Sequence, residues 1–175
     1  DSNYFLIYAG NNPKRVNVDY PSSQFNHVIL SVPLSSDTLW LENTSTYTPF
    51  NYLGSFPQGR KGLFVSPDRS KIISTPNWDE SSNEIRNTFR SELTSENISS
   101  ELTSTFIGTF YERWAGMNKY YSVSEKKESV ENYLTQYSGE HENTTVIIPE
   151  RDQPKAVIKA TINLDHSLRK IGNMY

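Results

Sequence analysis

Apolar and polar positions alternate along this chain in short runs, and the runs predict strands for most of its length. Tyr4 to Ala9, "YFLIYA", is a continuous apolar run that fits a buried strand ended by Gly10. A loop with breakers at Pro13 and Pro21 follows. Gln24 to Val32 and Thr38 to Glu42 read as two strands joined by "PLSSD", a link of hairpin length. Asn43 to Gly62 is rich in proline and glycine, and it feeds a second small hairpin, "LFVS" and "KIIST" around "PDRS".

The texture changes at residues 75–84, "TPNWDESSNE", where a domain boundary is expected. Beyond it, Thr88 to Thr94 and Ile98 to Glu112 predict two long strands, with Leu102, Phe106 and Phe110 on one face. One helix stands out in "SVSEKKESVENYLTQYSG". Ser122 with Glu125 three residues on has the capping-box spacing, and Val130, Tyr133, Leu134 and Tyr137 form one stripe. Gly139 fits the residue just past the helix end. Two strands follow, Thr144 to Ile148 and Ala156 to Leu164, and the segment "LRKIGNMY" leaves this second module unfinished. The expected fold class is α+β, predominantly β, with a strand-rich part over residues 1–76 and an antiparallel, sandwich-like module carrying one helix over 84–175.

Composition sharpens this in three ways. Aromatic, Ser, Thr and Asn residues are plentiful and good helix formers are few, which favours strands. The net charge of −3 and the lack of a basic cluster argue against nucleic acid as a partner. No apolar run reaches the roughly 18 residues of a membrane-spanning helix, and "DSNYFLIYAG" is too short and polar for a signal peptide. Cysteine is absent, so this chain carries no disulfide, no thiolate metal site and no cysteine nucleophile. The three sequons, at Asn43, Asn97 and Asn143, are expected by chance in a chain so rich in Asn, Ser and Thr.

The chemistry of interest lies in the first hairpin. His27 opens one strand and Glu42 ends the other, and antiparallel pairing sets them opposite each other to within a residue or two. A carboxylate on imidazole Nδ1 would fix the tautomer and leave Nε2 free to accept a proton from a nucleophile, the orienter–base half of a catalytic triad. Spacing alone does not decide for catalysis, because a His–acid pair across a hairpin is a common surface arrangement.

The stretch "YPSSQFNHVILSVPLSSDTLWLENTSTYTPFNYLG" resembles the C-terminal half of a transglutaminase-like domain, the papain-like cysteine fold, of the branch found in large secreted or periplasmic proteins of Bacteroidetes-type bacteria. In that resemblance "FNHVI" matches the strand of the base at His27, and "LWLENTS" matches the strand of the third residue, with Glu42 where many relatives have Asp. The catalytic Cys of the family lies on a segment upstream of Asp1. Residues 84–175 resemble, less specifically, the β-rich module that follows.

The resemblance implies a cysteine peptidase, amidase or acyltransferase acting on peptide or protein amides, in the periplasm or at the cell surface of a Gram-negative bacterium. Its base would be His27 and its orienter Glu42, and it needs no cofactor. Trp40, two residues before Glu42, would shield the pair, although plain core packing explains it as well.

Other candidates are weaker. Glu80, Glu84, Glu92, Glu96 and Glu101 read as solvent-facing rather than as a glycosidase pair. His141 and His166 sit in polar, loop-like contexts without a second metal ligand, and "GRKG" opens a strand rather than a phosphate-binding helix. Trp78, Trp114, Tyr120 and Tyr121 would stack on sugars if exposed together, which gives the alternative of a non-catalytic surface-binding or scaffold protein with a vestigial triad.

Overall fold

The computed structural model describes residues 3–9, 15–17, 19, 23–93, 97–148 and 153–165. The fold is α+β and predominantly β, with two antiparallel sheets and two helices among these residues. The chain divides into two compact units, Asp1–Asn83 with Glu150–Pro154, and Glu84–Pro149 with Lys155–Tyr175. No described helix is long and apolar enough to cross a membrane.

The first unit is a five-stranded sheet built from β1 (Asn3–Ile7), β2 (His27–Pro33), β3 (Thr38–Leu41), β4 (Lys61–Val65) and β5 (Lys71–Ser74), in the order β3-β2-β1-β4-β5. The hairpin β2–β3 closes as the sequence suggests, with Leu34 N–H donating to Asp37 O at 2.7 Å. One face carries the core: Phe5, Ile7 and Ile29 are fully buried with Ala9 and Leu53, and Trp40, Phe64 and Ile73 pack against them. Gly62 lies opposite Ile7, and a Cβ there would come within 2.6 Å of the Ile7 and Phe5 side chains, so the core reaches across β4 only because this residue is glycine. β1 is not buried on both sides as its continuous apolar run suggests. Tyr4 is exposed and Leu6 half-buried, because an antiparallel sheet needs only one covered face.

The second unit contains β6 (Glu84–Leu93), β7 (Ile98–Ile107), α1 (Thr109–Tyr120), α2 (Val123–Leu134), β8 (Glu140–Ile147) and β9 (Lys155–Leu164). Its sheet runs β6-β7-β9-β8, and its core joins Leu102, Phe106, Ile158 and Ile162 from the strands to Trp114, Val130 and Leu134 from the helices. One sheet covered by helices, rather than a sandwich of two sheets, makes this unit.

Two sequence expectations change here. The strand expected to run to Glu112 stops at Ile107, and Gly108, at φ 66, turns the chain into a helix that was not expected. Phe110 therefore leaves the face of Leu102 and Phe106 and is exposed. Gly139 is not the residue after the helix, since α2 ends at Leu134 with Thr135 as its cap. At φ 111 it instead lies in the turn before β8, where a Cβ would meet Asn163 O at 2.5 Å. The capping box is present in both directions, with Ser122 Oγ accepting from Glu125 N–H and the Glu125 carboxylate accepting from Ser122 N–H. The Ser122 hydroxyl and the Ser122 N–H, both donating to the Glu125 carboxylate, hold that carboxyl below its ordinary value. Thr94 lies outside the described residues.

Candidate active site

His27 enters β2 opposite Ile7, at the margin of the buried face. The residue before it fixes this start. Asn26 N–H donates to Ile7 O at 3.0 Å, and its side-chain amide accepts from Ala9 N–H at 2.8 Å and donates to Ala9 O at 3.2 Å. The amide thus imitates one more ladder pair beyond the end of β1.

Glu42 follows the last residue of β3. The ladder pairs Leu30 with Leu41 and Ser31 with Trp40, so the same register sets position 42 beside Ile29 and position 44 beside His27. His27 and Glu42 are therefore diagonal neighbours on the core face rather than directly opposite. A diagonal spans about 7–8 Å between backbones. Glutamate, one methylene longer than aspartate, covers it.

The two side chains meet. His27 Nε2 and Glu42 Oε2 are 2.6 Å apart, with the histidine side chain 12% and the glutamate side chain 5% exposed. The other carboxylate oxygen is held as well, since Oε1 accepts from Thr44 N–H at 2.8 Å and from Thr44 Oγ1 at 2.5 Å. Thr44 places two donors on Oε1, and with Glu42 as the carboxylate the remaining hydrogen bond, at Oε2, is donated by His27 Nε2–H. Phe56 sets its ring perpendicular to the imidazole, with centroids 5.2 Å apart. The His27 ring is thus fixed by a carboxylate along one edge and an aromatic ring against it.

This reverses one expectation. The carboxylate binds Nε2, so the ring nitrogen left over is Nδ1. Hairpin spacing brings two residues together but does not choose a χ2 rotamer, and the diagonal offset makes Nε2 the nitrogen in reach. Among the described residues no hydrogen bond to Nδ1 is formed.

Trp40 packs edge-on against Phe5 with ring centroids 5.2 Å apart, and its N–H backbone donates to Asn51 Oδ1 at 3.1 Å. It belongs to the core, and the aromatic ring against His27 is Phe56. Sequence reasoning missed Phe56 and Thr44. Thr44 had a local signal, because a Thr two residues after an acidic side chain is placed to cap it; Phe56 comes from a distant turn and had none.

Among the described residues, the remaining candidates do not assemble a second centre. His141 lies on β8 rather than in a loop, and its Nε2 donates to Tyr137 O at 3.1 Å. An open groove of about 470 Å³ beside it is lined by Lys126, Val130, Glu131, Asn143 and Val146, and Lys127 at its rim is 3.6 Å from Glu131. No group of three potential metal ligands occurs among the described residues. Glu80, Glu92 and Glu101 are exposed and Glu84 half-buried, while Glu96 and His166 lie outside the described residues. The four aromatics do not form one stacking surface, because Trp114 is buried in the second core. Trp78 packs beside Tyr52 in the first unit, and Tyr120 and Tyr121 are exposed in the second.

No family model matches the chain, and no curated protein or solved structure matches it.

Proposed function

We propose that this chain supplies the general base and its orienting acid to a cysteine-dependent acyl-transfer centre of transglutaminase-like type. The observation that supports this reading most is the state of the imidazole: Nε2 is bound by Glu42 while Nδ1 carries no hydrogen bond among the described residues. A base so held keeps one tautomer and presents one acceptor in one direction.

In this reading His27 Nδ1 takes the proton of a thiol brought by another segment or chain, because this chain has no cysteine. Glu42 stabilises the imidazolium that forms, Thr44 keeps the carboxylate aimed, and Phe56 holds the ring. The thiolate attacks an amide carbonyl, and Nδ1–H returns the proton to the departing amine. Water or a second amine then takes the acyl group from the thioester, giving hydrolysis or transamidation. The family resemblance carries with it a periplasmic or cell-surface location.

The test is the alkylation rate of the cysteine with iodoacetamide against pH, in the longest natural polypeptide that carries this chain, with and without His27→Ala. Fast reaction well below the ordinary thiol value near 8.5, lost in His27→Ala, is the expected result. A thiol that titrates near 8.5 whatever stands at position 27, or the lack of any cysteine, overturns the reading and leaves a binding or scaffold protein.

A further inference from the structure

The two edges of the second sheet are finished differently. At β8 the register slips between Glu142 and Thr145 around Asn143, which sits at φ 49, a bulge of the kind that blunts an open edge. β6 has no such device. All ten of its residues pair with β7 in a single register, and it contains neither proline nor lysine. Its core-side face carries Ile85, Phe89 and Leu93, which are 44%, 47% and 65% exposed. Glu84, Arg86, Arg90 and Glu92 alternate with them on the other face.

This strand is complementary to itself. An antiparallel copy placed about a two-fold axis at Phe89 sets Ile85 against Leu93, Arg86 against Glu92, Asn87 against Ser91, and Phe89 against its own mate. The register centred on Thr88 opposes Glu84 to Glu92 and Arg86 to Arg90, and the register centred on Arg90 opposes that arginine to itself. Centring on Asn87 leaves Ser91, Glu92 and Leu93 unpaired. A shift of the other parity puts the apolar face against the charged one.

We propose that this chain forms a symmetric dimer through β6, with Phe89 on the axis, joining two four-stranded sheets into one. The free backbone groups of the edge gain partners, and the exposed apolar residues gain cover. Arg86 exchanges its exposed bond to Glu84 of the same strand, 2.9 Å, for Glu92 of the second copy. That exchange costs little, since an exposed pair is weak. Arg90 and Glu92 form no ion pair among the described residues. The occupant is a second copy because the match of charges and apolar residues is between the strand and itself; a foreign strand is not specified by it.

Sedimentation velocity on the whole chain, from low micromolar to millimolar concentration, tests this. The unmodified chain dimerises. Arg86→Glu and Glu92→Arg each weaken the dimer about tenfold, because two like-charged pairs appear at every interface, and the double variant restores it. A chain that stays monomeric throughout, or a dimer indifferent to these exchanges, overturns the proposal. The chain has no cysteine, so Phe89→Cys places a single thiol on the axis. On oxidation it gives a disulfide-linked dimer, whereas Ile85→Cys, far from its own mate in this register, does not. Equal cross-linking of the two, or none by Phe89→Cys, contradicts the register.

Discussion

At the border of the first core, Glu42 gathers donors on both oxygens and leaves one nitrogen of His27 without a hydrogen bond among the described residues. At the border of the second, the Tyr133 hydroxyl lies 3.0 Å from Ser104 Oγ, 3.2 Å from Asn87 Oδ1 and 3.3 Å from the Tyr137 hydroxyl, so each polar atom finds another. Both clusters are partly buried and both lean on aromatic rings, Phe56 in the first, Phe106 and Trp114 in the second. The difference is closure. A network whose donors and acceptors are all matched fixes structure. One that ends in an acceptor held in a fixed direction has a group left to offer a substrate or a nucleophile.

Breaking the open cluster has the largest expected effect. Glu42→Ala strips the acceptor from Nε2–H and from Thr44 in a half-buried place, and costs about 1–3 kcal/mol in denaturant unfolding of the first unit. Glu42→Asp gives most of the same loss if the diagonal reach is the reason for glutamate. A Glu42→Asp variant as stable as the parent sinks that explanation.

The closed cluster yields less. Tyr133→Phe removes one hydroxyl from a network whose other members can turn to one another, a loss of about 1 kcal/mol. It also carries a pH signature. Burial pushes the Tyr133 phenol up to about 12, with the Ser104 hydrogen bond acting against the shift and the neighbouring Tyr137 adding to it. The folded state thus holds the proton more tightly than the unfolded chain, whose tyrosines titrate near 10. The stabilisation is whole below pH 10 and is lost as pH rises towards 12. The cost of Tyr133→Phe, followed by urea unfolding at neutral and alkaline pH, therefore shrinks over that window. A cost that grows there contradicts the account.

The smallest effect has the opposite sign. Ser31 Oγ is buried in the first core and has no hydrogen-bond partner among the described residues. Ser31→Ala removes an unsatisfied polar atom and should leave stability unchanged or raise it by up to about 1 kcal/mol. A clear loss would show that the hydroxyl has a partner after all.

What was legible in the sequence was local. The capping box at Ser122 and the hairpin that brings His27 to Glu42 are short-range patterns with one geometric solution each. α1 was hidden because Leu102, Phe106 and Phe110 are spaced by four, which fits two pleats of a strand and about one turn of a helix equally. Only Gly108, at positive φ, marks the change. β1 was misread because an apolar run shows hydrophobicity but not which of its faces the rest of the chain covers. The identity of the free nitrogen lay beyond any spacing argument, since it depends on a diagonal offset and a ring rotation.

The central claim is that Glu42 takes Nε2 and leaves Nδ1 of His27 as the acceptor. Long-range proton–nitrogen NMR correlation of the histidine rings tests it most directly, on a chain with only three histidines. The account predicts that neutral His27 is a single Nε2–H tautomer, and that Glu42→Ala turns it into a mixture. A His27 ring protonated on Nδ1 in the unmodified chain, or a tautomer indifferent to Glu42, would contradict it.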